Sequence, residues 1–358
     1  MAKKGTCLLP LHYGSAPRWL FERMVRLSRE IISVIVMDFG PDEFLERLSD
    51  PYWFQALGCV LGFDWHSSGL TTTVCGAVKE ALKETQREIL IYAAGGKGAA
   101  SRKTPDEIEF LISKNAPALD SKKYVYASRM AAKVDNTALQ DGYQLYHHSF
   151  FFSKSGLWAV VQQGMNTQTR WARRYHWLSK DLKDFVNEPE KAICCDHKGN
   201  AFNMVAGESG DARDASAFLA KERPEKIIGE VEKLSRLKLP EEHRLFFSNL
   251  KKTSLQKVLL STYTNQPQDF ERLLGIRGVG PKTIRALALL AELIYGSRVS
   301  RKDPAKYSFA HGGKDGHPYP IDRSHYDKSI EVLGRALREA KIGRTEKKDA
   351  FKRLAQFS

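Results

Sequence analysis

The chain of 358 residues has few cysteines, and their spacing fits no common metal or disulfide pattern. The five lie at Cys7, Cys59, Cys75, Cys194 and Cys195, so they leave an odd number and form no Cys-x-x-Cys pair. This arrangement argues against a zinc ribbon, a four-cysteine iron–sulfur site and a disulfide framework. The adjacent Cys194 and Cys195 are most simply explained as two small buried hydrophobic residues.

Long apolar segments are also lacking. The apolar run from 31 to 37 is far shorter than the roughly 20 residues that a membrane-spanning helix needs. The first residues contain no long apolar segment of the kind that a signal peptide carries. We therefore expect an intracellular, cytoplasmic protein without a membrane partner.

A Walker phosphate-binding pattern is absent too, because no Gly-x-x-x-x-Gly-Lys-Ser/Thr spacing occurs. A strand-like run from 89 to 94 nevertheless ends in Gly95-Gly96-Lys97-Gly98, with Arg102 and Lys103 shortly after it. A strand followed by a glycine- and lysine-rich loop can cradle a phosphate group. The sequence is equally compatible with a mobile basic loop.

Positive charge is what the chain has in excess. Its 56 Lys and Arg against 42 Asp and Glu give a formal net charge of +14. Over half of this excess, +8, lies between 268 and 358, where there are 19 Lys and Arg and 11 Asp and Glu. Such a balance favours a polyanionic partner, although charge alone does not separate nucleic acid from a membrane surface.

The stretch from 273 to 294 resembles a helix-hairpin-helix, the DNA-binding element of many repair and recombination proteins. Its turn reads Gly278-Val279-Gly280, and Pro281, Lys282 and Thr283 follow. Glycine accepts a positive φ, Val279 would fill the gap between the helices, and proline suits the first position of a helix. Free N–H groups at that helix start, with Lys282 and Thr283, would bind phosphate oxygens without reading bases.

A nucleic acid partner, DNA in preference to RNA, is therefore expected, because this motif coincides with the basic part of the chain. The other interpretation of the motif is an ordinary tight turn between two packed helices. Further contacts with the nucleic acid backbone are expected from basic residues elsewhere in the chain, namely Lys97, Arg102, Lys103, Arg129 and Arg173.

The pattern of apolar residues predicts an α+β protein. Helices are expected from Pro17, Pro41 and Pro51, and two strands over 143–152 and 157–162 should form a hairpin. A polar, turn-rich stretch from 179 to 210 suggests a boundary. We predict a mixed domain over 1–205, with a small sheet surrounded by helices, and an all-helical domain over 206–358 that contains the helix-hairpin-helix.

The first half of the chain contains several motif-like polar strings, and those on the two arms of the predicted hairpin are not needed to form a hairpin. They are Gly62-Phe-Asp-Trp-His-Ser-Ser-Gly69, Gly95-Gly-Lys-Gly98 with Ser101-Arg102, Lys133-Val-Asp135, Gln140-Asp-Gly142, His147-His148, Gln162-Gln-Gly-Met165 and Arg173-Arg-Tyr-His-Trp177. With these strings the chain resembles, over nearly its full length, the archaeal and thermophile family catalogued as domain of unknown function 763. The family has no settled activity, so the resemblance implies no particular chemistry.

Our first hypothesis is a metal-dependent nuclease of DNA repair or processing. Phosphodiester hydrolysis uses carboxylates, and in some enzymes histidines, around a divalent ion that polarises the phosphate and supplies hydroxide. The candidate catalytic residues are Asp64, His66, Lys133, Asp135, Asp141, His147, His148, Gln163, Arg174 and His176. The ion would be Mg²⁺ or Mn²⁺, held by Asp64, His66, Asp135 and His147. Their spacing follows no recognised ligand code, and the alternative is that the aspartates cap loops while the histidines are structural.

Two other hypotheses remain open. His317-Pro-Tyr-Pro-Ile-Asp322 loosely resembles the loop and aspartate of one helix-hairpin-helix DNA glycosylase superfamily, although it lies further from Gly280 than is usual there. The third hypothesis is a non-catalytic protein that binds DNA ends, junctions or single strands. In it, aromatic residues would stack on bases while neighbouring arginines hold phosphates; these residues are Trp171, Tyr175 and Trp177 with Arg170, Arg173 and Arg174. The same aromatics are equally compatible with a core cluster.

Overall fold

A computed structural model of the protein describes residues 16–63, 68–195, 197–234, 252–305 and 323–357. Asp64, His66 and Asp322 therefore lie outside the described residues. The described chain opens with four helices, α1 (Arg18–Phe39), α2 (Pro41–Ser49), α3 (Pro51–Val60) and α4 (Gly69–Ile89). The side chain of Asp50 caps α3 by accepting hydrogen bonds from the N–H groups of Tyr52 and Trp53, both at 2.8 Å. The helices predicted from Pro17, Pro41 and Pro51 are thus confirmed.

In the described parts of the chain, eight strands form two antiparallel sheets. They are β1 (Ile91–Lys97), β2 (Leu139–Gln140), β3 (Gln144–Ser153), β4 (Trp158–Asn166), β5 (Trp171–Leu178), β6 (Ala192–Cys194), β7 (Asn200–Asn203) and β8 (Ser300–Lys302). The central sheet has the order β1-β3-β4-β5-β6, and a small sheet has the order β2-β7-β8. The predicted hairpin is confirmed as β3 and β4, with Phe152 opposite Trp158 next to its turn.

The remaining helices are α5 (Ala99–Arg102), α6 (Thr104–Asn115), α7 (Ser121–Lys133), α8 (Gly210–Leu219), α9 (Pro224–Leu234), α10 (Lys252–Asn265), α11 (Phe270–Gly275), α12 (Pro281–Tyr295), α13 (Arg323–Glu339) and α14 (Arg344–Phe357). A single π-helical turn, Val134–Ala138, follows α7 and leads into β2. Such turns are frequent at functional sites and bring an extra residue into the helical path.

Helices cover both faces of the central sheet. On one face, which we call the α1–α4 face, Phe151, Ala159 and Val161 belong to a buried cluster. This cluster also includes residues of α1 to α4, α13 and α14. The α6–α7 face packs Phe150 and Val160 against α6 and α7, and the same buried cluster continues into α11 and α12. Successive residues of a strand point to opposite faces of the sheet. The two members of each adjacent pair of polar residues on β3, β4 or β5 therefore lie on different faces.

The α+β class, with a small sheet surrounded by helices, is confirmed. The described residues after 205 are helical except for β8, which pairs with β7. The small sheet therefore joins segments from both sides of the boundary at 205, and that boundary stays a prediction. Within the described parts of the chain, no helix has the length and apolar character needed to cross a bilayer.

Candidate functional site

The α1–α4 face carries a row of polar side chains across its three central strands. His147 on β3 lies opposite Gln163 on β4, and Gln163 lies opposite Arg174 on β5. His147 is 1% exposed, and Gln163 and Arg174 are fully buried. The structure thus brings three of the predicted catalytic residues together, and we call them the His147 row.

One ring nitrogen of His147 and the amide oxygen of Gln163 lack a hydrogen-bond partner among the described residues. The side-chain amide of Gln163 donates to the carbonyl of Ser68 at 2.8 Å and to the hydroxyl of Tyr146. Nε2 of His147 lies 3.1 Å from Oγ of Ser149. Nδ1 of His147 and Oε1 of Gln163, however, have no hydrogen-bond partner among the described residues. Buried polar atoms of this kind are rare in folded proteins, and an ordered water, an ion or a ligand can supply the missing hydrogen bond.

Helices α3 and α4 bury the arginine of the row. One guanidinium nitrogen of Arg174 donates to Oε1 of Gln55 at 3.1 Å, and the group lies 4.6 Å from the ring centre of Phe54. His176 meets the same ring edge-on at 5.4 Å. Sequence reasoning missed Gln55 and also Thr71, which contacts Arg174 at 3.4 Å. The sequence signal that could have identified Gln55 and Thr71 is a polar residue on the buried side of a helix.

The histidines of this face are neutral. Burial is the main cause that lowers the pKa of His147 to about 3, and the neighbouring His148, Lys97 and Lys79 lower it further. Burial also lowers the pKa of His176 well below its usual range, and the charge of Arg174 adds to this effect. At neutral pH, His147 therefore stays neutral, and its free ring nitrogen can take part in a hydrogen bond or bind a ligand.

A second polar network lies on the α6–α7 face. Nδ1 of His148 is 2.7 Å from Oε1 of Gln162, and its Nε2 is 2.8 Å from Oγ of Ser128. An amide oxygen only accepts, so Nδ1 carries the proton and the hydroxyl of Ser128 donates to Nε2. The amide of Gln162 donates to Asp135 at 2.5 Å, and Trp177 donates to the same carboxyl oxygen at 2.8 Å.

The pKa values of this network show how burial holds it neutral. Burial lowers the pKa of His148 to about 4. Burial raises the pKa of Asp135 well above its usual value, and Glu190, which is hydrogen bonded to it, raises it further. A hydrogen bond between two carboxyl groups requires a proton on one of them. One proton is therefore shared between Asp135 and Glu190, and Asp135 also accepts from Gln162 and Trp177 within a packed core.

The central sheet separates the candidate residues into two sets. Asp135 and His148 belong to the α6–α7 face, whereas His147, Gln163, Arg174 and His176 belong to the other. No single site can contain both sets, so Asp135 cannot share a metal ion with His147 as the sequence suggested. Among the residues that the structure describes, no group of three or more His, Cys, Asp or Glu is placed to hold a metal ion.

Arg173 and Asp141 form a buried structural cluster. The guanidinium of Arg173 donates to Asp141 at 2.8 Å, to Asp303 at 2.7 Å and to the carbonyl of His197 at 2.9 Å. The hydroxyl of Tyr175 donates to Asp141 at 2.7 Å. Arg173 is fully buried, so it is not available for the phosphate contact that the sequence suggested.

The aromatic residues around these arginines lie in the core. Tyr175 and Trp177 are fully buried, and Trp171, at the start of β5, packs on the ring of His197 at 4.7 Å between centroids. Stacking of bases on Tyr175 and Trp177 is therefore excluded in this structure. The sequence had not predicted β5 as a strand, because both of its faces are buried and it lacks the polar–apolar alternation of a half-exposed strand.

The glycine-rich stretch after 94 is part of β1 instead of a loop. Gly95 lies opposite Ser149, and a Cβ at this position would lie 2.2 Å from the carbonyl oxygen of His148. The N–H of Gly98 donates to the carbonyl of Tyr146 at 2.8 Å. The glycines thus allow two strands to approach closely. Three basic residues that follow or end this strand are exposed, namely Lys97, Arg102 and Lys103.

The motif at 273–294 consists of α11, a turn over 276–280, and α12. Val279 is 1% exposed and fills the space between the two helices. Gly278 has a φ of +94°, whereas Gly280 has an extended backbone with a φ of −138°. Lys282 is exposed, but Thr283 is 5% exposed, so the hydroxyl of Thr283 is not free to reach a phosphate in solvent.

Residues from α7 and β2 hold the carbonyl groups of this turn. The ammonium of Lys133 donates to the carbonyl of Val279, and the side-chain amide of Gln140 donates to the carbonyl of Pro281 at 3.1 Å. Burial lowers the pKa of Lys133. The structure thus places Lys133, predicted as catalytic, against the turn as an anchor. In a trans peptide the C=O and the next N–H point in opposite directions, so the N–H of Gly280 points away from Lys133.

Comparison with known proteins gives one match. No curated protein and no solved structure is similar to the chain at a meaningful level. A family described as a protein of unknown function (DUF763) matches residues 5–321, which include both networks and the turn. With nearly nine tenths of its length matched, the chain belongs to this DUF763 family.

Proposed function

We propose that this protein binds nucleic acid, with DNA as its main partner, through the turn at 276–280 and the start of α12. One observation carries the proposal: Lys133 and Gln140 hold the carbonyl groups of the turn from one side. The N–H groups of Gly278 and Gly280 donate to no residue that the structure describes, and the N–H of Gly280 shares its peptide group with the carbonyl of Val279 that Lys133 holds. Backbone N–H groups that are held in this way can bind a phosphate oxygen.

The charges around the turn support a polyanionic ligand. Arg277 and Lys282 are exposed, and the first turn of α12 contains no acidic residue. Arg129, which the sequence also predicts to contact the nucleic acid backbone, is exposed on α7. Contacts of this kind hold the nucleic acid backbone and do not select a base sequence. A DNA partner also agrees with the cytoplasmic location expected from the sequence.

Charge reversal at the turn tests this proposal. The affinity of the full chain for a labelled DNA duplex would be measured by fluorescence anisotropy over a range of salt concentrations. Gly280→Asp places a carboxylate next to the N–H groups, and a Cβ there meets no atom closer than 3.9 Å, so the fold should tolerate it. We expect Gly280→Asp and Lys282→Glu each to weaken binding about tenfold and to reduce the salt slope by about 1.

Lys114→Glu is the matched control, because it makes the same charge change at an exposed position of α6. Its affinity should stay within about twofold of the unaltered protein, as expected for a cation outside the contact. If Gly280→Asp and Lys282→Glu bind no worse than this control, the turn is not the binding site.

Hydrolysis of phosphodiester bonds at the His147 row is the second candidate function. The observation that favours it is the pair of buried atoms without partners, Nδ1 of His147 and Oε1 of Gln163, beside the cation Arg174. Arg174 is as buried as Arg173, so a phosphate could reach it only after α3 and α4 move away from the sheet; the fixed cation would then stabilise charge that develops on the phosphate. A divalent ion, Mg²⁺ or Mn²⁺, would polarise the phosphate, with Asp64 and His66 as further ligand candidates from outside the described residues.

Nuclease assays with single-stranded, duplex and flap DNA, each with Mg²⁺, Mn²⁺ or EDTA, test the second function. A nuclease at this row should lose its activity in EDTA, and His147→Ala should abolish turnover while DNA affinity stays within a few-fold. Full activity in His147→Ala and Gln163→Leu would exclude the row. Activity that persists in EDTA but disappears in Asp322→Asn would instead indicate the glycosylase chemistry that the sequence left open.

A further inference from the structure

A cavity of about 410 Å³ opens directly beside the turn at 276–280. Its walls come from three helices: Tyr126 of α7, Asn265 of α10 and Arg272 of α11, with Ile276 and Arg277 at the start of the turn. This volume is within the range of roughly 300–1,000 Å³ that is typical for sites of small organic ligands. A bare phosphate group is far smaller, so the cavity has room for a whole nucleotide.

Two arginines make the cavity suitable for a phosphate. The side chains of Arg272 and Arg277 are exposed, and neither guanidinium forms a hydrogen bond or ion pair with a residue that the structure describes. Guanidinium groups bind phosphate through two parallel hydrogen bonds and also stack on flat rings. Two carboxylates close to Arg272 in sequence have other contacts: Glu271 accepts from the hydroxyl of Tyr126, and Asp269 accepts from the N–H of Arg272 at 2.7 Å.

The rest of the lining suits a base. Nδ2 of Asn265 donates to the carbonyl of Ser261 at 2.8 Å, which leaves its amide oxygen free to accept from the edge of a base. Ile276 and the ring of Tyr126 supply apolar surface. Unpaired bases are commonly bound between apolar or aromatic side chains and arginine planes, with little preference among the four bases.

The cavity and the turn lie within reach of one strand. Arg277 precedes Gly280 by three residues, a distance of at most about 10 Å along the backbone. A strand whose phosphate is bound at Gly278 and Gly280 can therefore place an adjacent nucleotide in the cavity. A base within a continuous duplex is paired and stacked, so it would have to leave the helix first, at a cost of a few kcal/mol.

We propose that this cavity binds one unpaired nucleotide of the strand that is held at the turn. The protein then prefers DNA with single-stranded nucleotides, such as a gap or an overhang, to continuous duplex. The inference rests on the proposed binding of nucleic acid at the turn and identifies the class of DNA that is recognised there.

A comparison of the protein's affinities for two labelled DNAs tests the proposal. The full chain would be titrated, with EDTA present to prevent cleavage, against a continuous duplex and against the same duplex with a short internal gap. We expect the gapped DNA to bind about tenfold more tightly, which is the size of effect that base stacking produces. Asn265→Ala and Arg272→Ala should remove this preference and leave the affinity for the continuous duplex within about twofold.

Lys257→Ala is the matched control, since it removes an exposed cation from α10 outside the lining of the cavity, and it should retain the preference. Equal affinity of the unaltered protein for both DNAs would overturn the proposal. An equal loss of affinity for both DNAs in Arg272→Ala would also overturn the proposal, because Arg272 would then contact only duplex phosphates.

Failure of the proposed function has a different signature. In that case Gly280→Asp and Lys282→Glu would leave the affinity for continuous duplex unchanged. The difference between gapped and continuous DNA, and its loss in Asn265→Ala, would still decide whether the cavity binds a nucleotide.

Discussion

At the scale of single residues, burial decides the charge of the histidines on the central sheet. His147 and His148 are adjacent in sequence and lie on opposite faces, yet burial is the main cause of a lowered pKa for both. Neither ring carries a charge at neutral pH, although each is hydrogen bonded to a serine hydroxyl. This has a direct consequence for stability in acid.

The stability of the protein should fall between about pH 6.5 and pH 4. The pKa of His148 is about 4 in the folded protein and about 6.5 in the unfolded chain, so only the unfolded chain takes up a proton in this interval. Stability is then complete above the unfolded pKa and decreases by roughly 1.4 kcal/mol per pH unit for each such histidine as the pH falls. Urea unfolding at a series of pH values measures the slope.

His148→Gln should make this slope shallower by roughly 1.4 kcal/mol per pH unit, because one of the contributing groups is removed. His197→Gln, at an exposed position, controls for the loss of a histidine. An unchanged slope in His148→Gln would show that His148 takes up its proton equally in the folded and unfolded chain.

At the scale of elements, α7 connects the central sheet to the turn before α12. Ser128 contacts His148 on β3, Tyr126 donates to Glu271 on α11, and Lys133 donates to the carbonyl of Val279. The π-helical turn at the end of α7 then leads to Gln140, which contacts Pro281 and Arg285 on α12. One helix therefore determines where the N–H groups of the turn point.

Lys133→Met should loosen this connection while it keeps the apolar part of the side chain. The carbonyl of Val279 would lose its partner in a partly buried place, which costs about 1–3 kcal/mol of stability. We also expect faster hydrogen exchange at the amides of 276–284 than in the unaltered protein. Urea unfolding and exchange mass spectrometry measure the two effects.

Lys122→Met provides the comparison, because Lys122 lies on the same helix and is exposed. It should change neither the stability nor the exchange rates. Unaltered exchange at 276–284 in Lys133→Met would mean that the turn is held by the packing of Val279 alone.

At the scale of the whole molecule, Arg173 joins the central sheet to Asp303, which lies 130 positions later in the chain. It lies on β5 and binds both Asp141 and Asp303, the residue after β8. Burial raises the pKa of Asp141, and the charge of Arg173 acts against this rise. Without Arg173, two carboxylates with almost no exposure would lose their countercharge.

Arg173→Met should therefore destabilise the fold by about 3–5 kcal/mol, as is typical when one partner of a buried ion pair is removed. The loss of stability should be smaller at pH 5 than at pH 8, because protonation of Asp141 and Asp303 removes their unpaired charges. The triple variant with Asp141→Asn and Asp303→Asn should recover part of the stability. Urea unfolding at the two pH values checks both statements, and equal losses at both would contradict them.

Local patterns in the sequence were sufficient for much of the fold. Proline at 17, 41 and 51 predicted three helix starts, and strands separated by a four-residue turn predicted the β3–β4 hairpin. Val279 was predicted to fill the space between two helices, and it does so. These features depend on residues within one or two turns of each other, where backbone preferences and capping act directly.

The grouping of the site residues could not be obtained in the same way. Alternation along a strand showed that His147 and His148 face opposite sides, but not that Asp135 would lie on the side of His148 and Arg174 on the side of His147. The roles of Lys133 and Arg173 depend on partners more than a hundred positions away, Val279 and Asp303. The sequence alone determined several helix starts, the β3–β4 hairpin and the basic character; only the tertiary structure decided which polar residues meet, because strand register and helix packing bring distant residues together.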